Sequence, residues 1–217
     1  MTDLIKTTIT ALEKNNMKAF YCETSNDAVE LVKSMLFKGA TITRGGSESV
    51  KQSGIFDLIN NGDYRFLDRT RQGITKEEEM ESYKETVGGD FYFCSANAVT
   101  TKGDIVNIDG YSNRISAIAF GPKKVIMIVG INKIVNDLDE AILRIKTIAS
   151  PKNCVRLNKK TPCATLGKCI CIKENYIPKI NEGCASPDRI CRNVLISGPQ
   201  AVKDRINVII VNESLGY

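Results

Sequence analysis

The sequence predicts an α/β protein built on a mostly parallel, Rossmann-like sheet with helices on both faces, and three observations carry that prediction. Apolar runs of strand length alternate along the chain with amphipathic stretches of helix length. Two of the runs, Phe91–Cys94 and 125–129, are aromatic or β-branched almost throughout and bounded by glycine, which suits strands covered on both faces. With 217 residues and 42% hydrophobic content the chain can bury one sizeable core, so a single domain over 1–217 is expected.

Residues 4–15 place Leu4, Ile5, Thr8, Ile9 and Leu12 on one helical face, and 18–22 is a short strand. Thr24-Ser25-Asn26-Asp27 is a capping sequence for a second helix, with Val29, Leu31, Val32, Met35 and Leu36, that ends near Gly39. Ala40 to Thr43 is a strand. It runs into Arg44-Gly45-Gly46-Ser47 and then a helix over about 50–59, so backbone N–H groups are exposed at a strand-to-helix turn where an anion is favoured. Residues 64–67 form another short strand, and Thr75-Lys76-Glu77-Glu78 caps an acidic helix to about Thr86.

The stretch from Phe91 to Lys133 is the centre of the chain. Thr100-Thr101-Lys102-Gly103-Asp104 is a turn signal that folds Asn97-Ala98-Val99 back on Ile105-Val106-Asn107 as a hairpin. The period of two in the returning strand puts Val106 and Ile108 on one face and Asn107 and Asp109 on the other. Gly110, Asn113 and Arg114 follow at once, so a carboxylate, amides and a guanidinium gather as a small polar ligand requires. Asn132-Lys133 lies just beyond the carboxyl end of the buried strand 124–130, where ligands of open α/β sheets collect. A helix then carries Leu138, Ala141, Ile142, Ile145 and Ile148 and ends at Ser150-Pro151. Residues 151–192 break the rhythm as an irregular, cysteine-rich excursion, after which 193–197 and 206–211 return to the sheet.

Composition removes several function classes. The chain contains no histidine, which excludes Ser-His-Asp, Cys-His and HExxH chemistry. It has neither GxxxxGK[ST] nor GxGxxG, so nucleotide folds of those kinds are disfavoured. The net charge of +5 is scattered and not interleaved with aromatics, which argues against nucleic acid. No apolar run approaches a membrane span and the first residues carry no signal-like core, so a cytoplasmic protein without membrane association is expected. In a reducing compartment the eight cysteines read as thiols or metal ligands. Their spacing is neither a paired CxxC nor a ferredoxin pattern, but five lie close together in one loop-rich segment. Cys163, Cys169, Cys184 and Cys191 are the candidate ligands for zinc or an iron–sulfur cluster, with Cys171 as substitute; reduced or regulatory thiols are the alternative.

Asn97-Ala98-Val99-Thr100, Gly103, Val106-Asn107-Ile108-Asp109-Gly110, Asn113-Arg114, Phe120-Gly121-Pro122-Lys123-Lys124-Val125, Gly130, Asn132-Lys133 and Ser186-Pro187-Asp188-Arg189-Ile190-Cys191-Arg192 together resemble the lactate-utilisation (LUD) domain family over nearly the whole chain. The resemblance implies the ribose-5-phosphate isomerase and CoA-transferase-like fold group, and a role in oxidising L-lactate to pyruvate beside iron–sulfur protein partners. Compared with similar family members, 172–183 looks like an insertion between Cys171 and Cys184. A more distant likeness of Asn97-Ala98-Val99, Gly103-Asp104 and Asn107 is to the sugar-phosphate isomerases related to the translation initiation factor 2B subunits. There an aspartate acts as acid/base at the position that matches Asn97, a role an amide cannot take.

The expected function is therefore a non-redox component of a lactate-utilisation system that binds a small anionic metabolite, with a homo-oligomer left open. Its candidate binding residues are Gly45, Gly46, Ser47, Asn97, Asn107, Asp109, Gly110, Asn113, Arg114 and Lys133. Two alternatives stand beside it: an isomerase or CoA-transferase-like enzyme using Asp109, and a metal- or redox-sensing regulator working through the cysteines.

Overall fold

The computed structural model describes all 217 residues. In chain order the elements are α1 (Asp3–Lys14), β1 (Lys18–Cys22), α2 (Ser25–Met35), β2 (Thr41–Arg44), α3 (Glu48–Gln52), α4 (Ile55–Asn61), β3 (Arg65–Phe66), α5 (Lys76–Gly88), β4 (Phe91–Cys94), β5 (Ala98–Thr100), β6 (Ile105–Asp109), α6 (Asn113–Ala119), β7 (Lys124–Gly130), β8 (Ile134–Val135), α7 (Leu138–Arg144), α8 (Ser150–Arg156), α9 (Pro162–Leu166), β9 (Asn193–Ser197) and β10 (Ile206–Val211). Six strands form an all-parallel sheet in the order β1-β10-β7-β4-β2-β3. Both of its faces are buried. Val125, Met127 and Val129 pack with Ile5 and Leu12 of α1 and Ile118 of α6, while Ile126 and Ile128 pack with Val32 of α2, Val50 of α3 and Ile59 of α4.

The 91–133 stretch does not stay within one sheet. β4 and β7 are central in the parallel sheet, whereas β5 and β6 leave it to form a second sheet ordered β8-β5-β6-β9. The hairpin forms as its sequence predicts, with β5 antiparallel to β6 and Gly103 at φ 86°. An added Cβ on Gly103 would lie 2.6 Å from the Ala11 carbonyl oxygen, so the tip of the hairpin is pressed against α1 and only glycine fits. Residues 193–197 do not rejoin the parallel sheet as expected; β9 pairs antiparallel with β6 instead. One strand register is thereby set by a partner nearly ninety residues distant, a pairing that local periodicity does not encode.

Two further corrections concern helices. The expected helix over 50–59 is two, α3 and α4, because Gly54 takes φ 76° between them. The helix expected to stop at Ser150-Pro151 continues. A π-helical turn at Ile145–Ala149 follows α7, and the Ser150 N–H reaches back to the Ile145 carbonyl before α8 begins with Pro151 in its first turn. A proline lacks the N–H that an α-helix interior needs, and the wider turn removes that conflict. The segment 151–192 is accordingly not wholly irregular: α8 and α9 occupy its first half, and turns the remainder.

Candidate functional site

Parallel strands deliver all their carboxyl ends to one edge of the sheet, and three of those ends open on one cleft. β2 leads into Gly45-Gly46-Ser47, β4 into Ser95-Ala96-Asn97, and β7 into the 3₁₀ turn Ile131–Lys133. Asn153 of α8 and Gly216-Tyr217 complete the walls of a mostly polar cleft that opens to solvent.

Arg114 projects from the first turn of α6 and is fixed by neutral acceptors only. Its Nη1 donates to the Ser95 carbonyl at 3.0 Å and to Asn107 Oδ1 at 2.6 Å, and its Nη2 to Asn97 Oδ1 at 2.9 Å and the Ile108 carbonyl at 2.6 Å. Asn107 is fully buried behind it, with its Nδ2 unpartnered. Lys133 is 3% exposed and its Nζ donates to the hydroxyls of Ser49 at 2.8 Å and Ser95 at 3.0 Å. Burial, reinforced by the charges of Arg144 and Arg114, pulls its ammonium down from 10.5 to about 7. Arg144, at the end of α7, donates to the carbonyls of Asn132 and Asn97, and burial lowers its pKa to about 10. None of these three cations has a carboxylate within ion-pair distance. The acid that lines the cleft, Glu48, pairs with Lys51 and Arg156.

Asp109 does something different from what its position suggests. Its Oδ1 accepts the N–H groups of Tyr111 and Ser112, and its Oδ2 those of Arg114 and Ile115. It caps α6 and so aims Arg114 at the cleft; it does not touch the guanidinium. With both oxygens engaged by backbone donors, it is poorly placed as the acid/base of an isomerase.

Of the residues singled out in the sequence, Gly46, Ser47, Asn97, Arg114 and Lys133 line the cleft together. Gly45 lies directly behind, where a Cβ would come within 3.2 Å of Arg114 Cδ and 3.0 Å of the Tyr92 hydroxyl, and Asn107 and Asp109 hold Arg114. Two lie elsewhere: Gly110 packs on the Ile190 backbone, and Asn113 Nδ2 is tied to the Tyr83 hydroxyl at 2.7 Å. Sequence reasoning missed Arg144, hidden as an ordinary last-turn cation of an amphipathic helix, and also Ser95, Asn153 and Tyr217, which carry no motif.

Cys163, Cys169, Cys184 and Cys191 line one separate cavity, joined by Cys154 of α8, which the spacing argument had left out. Cys171 does not line it. Cys22 and Cys94 sit in the two main core clusters, and no cysteine is disulfide-bonded. No helix is long and apolar enough to cross a membrane.

Comparison with known proteins bears on the fold. A DUF162 family protein from Deinococcus radiodurans, solved as a crystal structure, superposes with a TM-score of 0.53 over 97% of each chain at 12% identity. Ribose 5-phosphate isomerase A from Methanocaldococcus jannaschii matches with a TM-score of 0.34 at 13% identity, over 83% of this chain and 80% of that one. No curated protein matches the sequence. The LUD domain family model matches residues 5–211, nearly the whole chain, and this protein therefore belongs to the LUD domain family.

Proposed function

We propose that this protein is a non-redox, ligand-binding component of an L-lactate utilisation system, and that it holds a small carboxylate- or phosphate-bearing metabolite in the cleft at Arg114 and Lys133. The observation that carries the reading is Lys133, buried in the cleft wall beside the half-buried Arg114, with neither side chain ion-paired to a carboxylate and the one acid of the lining, Glu48, already paired to Lys51 and Arg156. Burying charge without a counter-ion is costly, and an anion in the cleft would sit against Lys133 and Arg114 together and offset that cost. Arg114 presents a planar fork suited to a carboxylate or phosphate, already aimed by Asp109, Asn107 and Asn97. Membership of the LUD family supports the lactate-utilisation context. Iron–sulfur protein partners belong to the same proposal, as the resemblance to lactate-utilisation proteins implies.

Thermal melts of the wild-type protein and of Lys133→Met, each with lactate, pyruvate, phosphate and coenzyme A in turn, test it. At a ligand concentration one hundred times its Kd, mass action stabilises the folded protein by about 2.7 kcal/mol. At least one anion is expected to raise the wild-type melting temperature and to lose that effect in the variant. Absence of any anion response in the wild type overturns the reading.

A further inference from the structure

The cavity lined by the cysteines is independent of the anion cleft and has its own chemistry. Its five sulfurs come from three stretches of chain: Cys154 from α8, Cys163 from α9, and Cys169, Cys184 and Cys191 from the turns that follow. Four of the five side chains are buried, and Cys184 is partly so. Cys154 Sγ and Cys163 Sγ are 3.7 Å apart. Cys154 and Cys163 pack with Ile190 and Ala164, and the rest of the lining is Ser150, Thr161 and two cations. Lys146, in the π-helical turn, is fully buried, and its Nζ donates to a single acceptor, the Glu182 carbonyl. Arg189 donates through Nε to Cys191 Sγ at 3.2 Å and through its other nitrogens to backbone carbonyls. No acid lines the cavity.

The cavity thus gathers five thiols and two cations with no acid among them. Thiols that stayed protonated would leave the buried Lys146 charge with one carbonyl for company. Four thiolates on a divalent ion carry a net charge of about −2, and a four-thiolate iron–sulfur cluster is likewise anionic; either offsets the two cations. We infer that this cavity is a thiolate-ligated metal site, taking zinc or an iron–sulfur cluster on four of the five sulfurs, with Lys146 and Arg189 as its charge-balancing groups. As the side chains stand, no three of them surround a common point closely enough to hold an ion. Ligation therefore draws the turns between Cys169 and Cys191 inward, and each ligating thiol releases its proton to solvent as the metal–sulfur bond forms. Metal binding is thus coupled to ordering of this segment, which gives the experiment a readout in stability as well as in metal content.

The test uses the full chain, purified anaerobically, stripped with a chelator, and divided between zinc alone and equal amounts of ferrous and ferric iron with sulfide. After desalting, about one zinc, or about four irons with four sulfides, is expected per chain, with a higher melting temperature than the stripped protein. The iron arm is expected to show thiolate- and sulfide-to-iron absorption. Cys184→Ser and Cys191→Ser are each expected to lower retention several-fold, whereas Cys22→Ala retains the wild-type amount. Retention of less than about a tenth of an equivalent in both arms overturns the inference, as does retention equal in wild type and both serine variants. If the variants fail to fold, the wild-type absorption spectrum decides, because bound iron without thiolate-to-metal bands means adventitious metal and refutes the assignment.

Discussion

Lys133 makes the charge argument quantitative. A lysine held at about 7 in the folded protein against 10.5 unfolded carries an unfavourable term on the order of 5 kcal/mol when fully protonated in both states. Replacement by methionine removes that term but deprives the Ser49 and Ser95 hydroxyls of a donor, at about 1 kcal/mol each. Lys133→Met should therefore be more stable than wild type by about 2–3 kcal/mol at pH 6. The direction with pH follows from proton counting. Between pH 7 and 10.5 the unfolded chain holds the proton that the folded chain has lost, so wild-type stability rises with pH across that window relative to the variant. From pH 6 to pH 9 the advantage of the variant should shrink by about 2–3 kcal/mol. Urea unfolding of both proteins at the two pH values measures this directly. If the difference between them is independent of pH, or if the variant is the less stable at pH 6, Lys133 is not a desolvated cation and the case for an anion in the cleft loses its main support.

The same titration governs ligand binding: anion-dependent stabilisation should be strongest below pH 7 and should weaken as pH rises above it, measured by melts at constant ionic strength. Asp109→Ala should lower stability by about 2–4 kcal/mol, since four backbone donors at the start of α6 lose a charged acceptor; a variant that keeps its melting temperature would contradict the capping role. Gly103→Ala should cost at least about 2 kcal/mol by denaturant unfolding, because a Cβ there meets the Ala11 carbonyl at 2.6 Å on a left-handed backbone.

The parallel sheet was legible because its strands are buried on both faces and so read as unbroken apolar runs, 125–129 being the plainest. The β5–β6 hairpin was legible from Gly103 and the alternation through Asn107. What the sequence concealed was the partition into two sheets, since β9 is an ordinary apolar stretch whose partner is chosen by tertiary packing. The helical run past Ser150-Pro151 was concealed because a proline marks a helix end only when the preceding turn is α. In the cleft, Arg114 and Lys133 stood out by their places after strands. Asp109 reads in the sequence as a ligand-binding or acid/base carboxylate, while its partners in the structure are four peptide N–H groups, which leave no trace in side-chain identity. Arg144 looked like helix-end electrostatics, and only burial distinguishes it.

The continuous run of α7, π-helical turn and α8 has a consequence for modularity. Within about ten residues it supplies Arg144 beside the cleft, Lys146 and Cys154 to the thiol cavity, and Asn153 back to the cleft, where Asn153 and Arg156 also grip the Tyr217 hydroxyl. Excising 151–192 as if it were an appendage would thus remove a wall of the anion cleft and unfasten Tyr217. Shortening within 172–183 carries its own cost, because it removes the Glu182 carbonyl, the single acceptor of the buried Lys146, and the Asn181 and Glu182 carbonyls that hold Arg189.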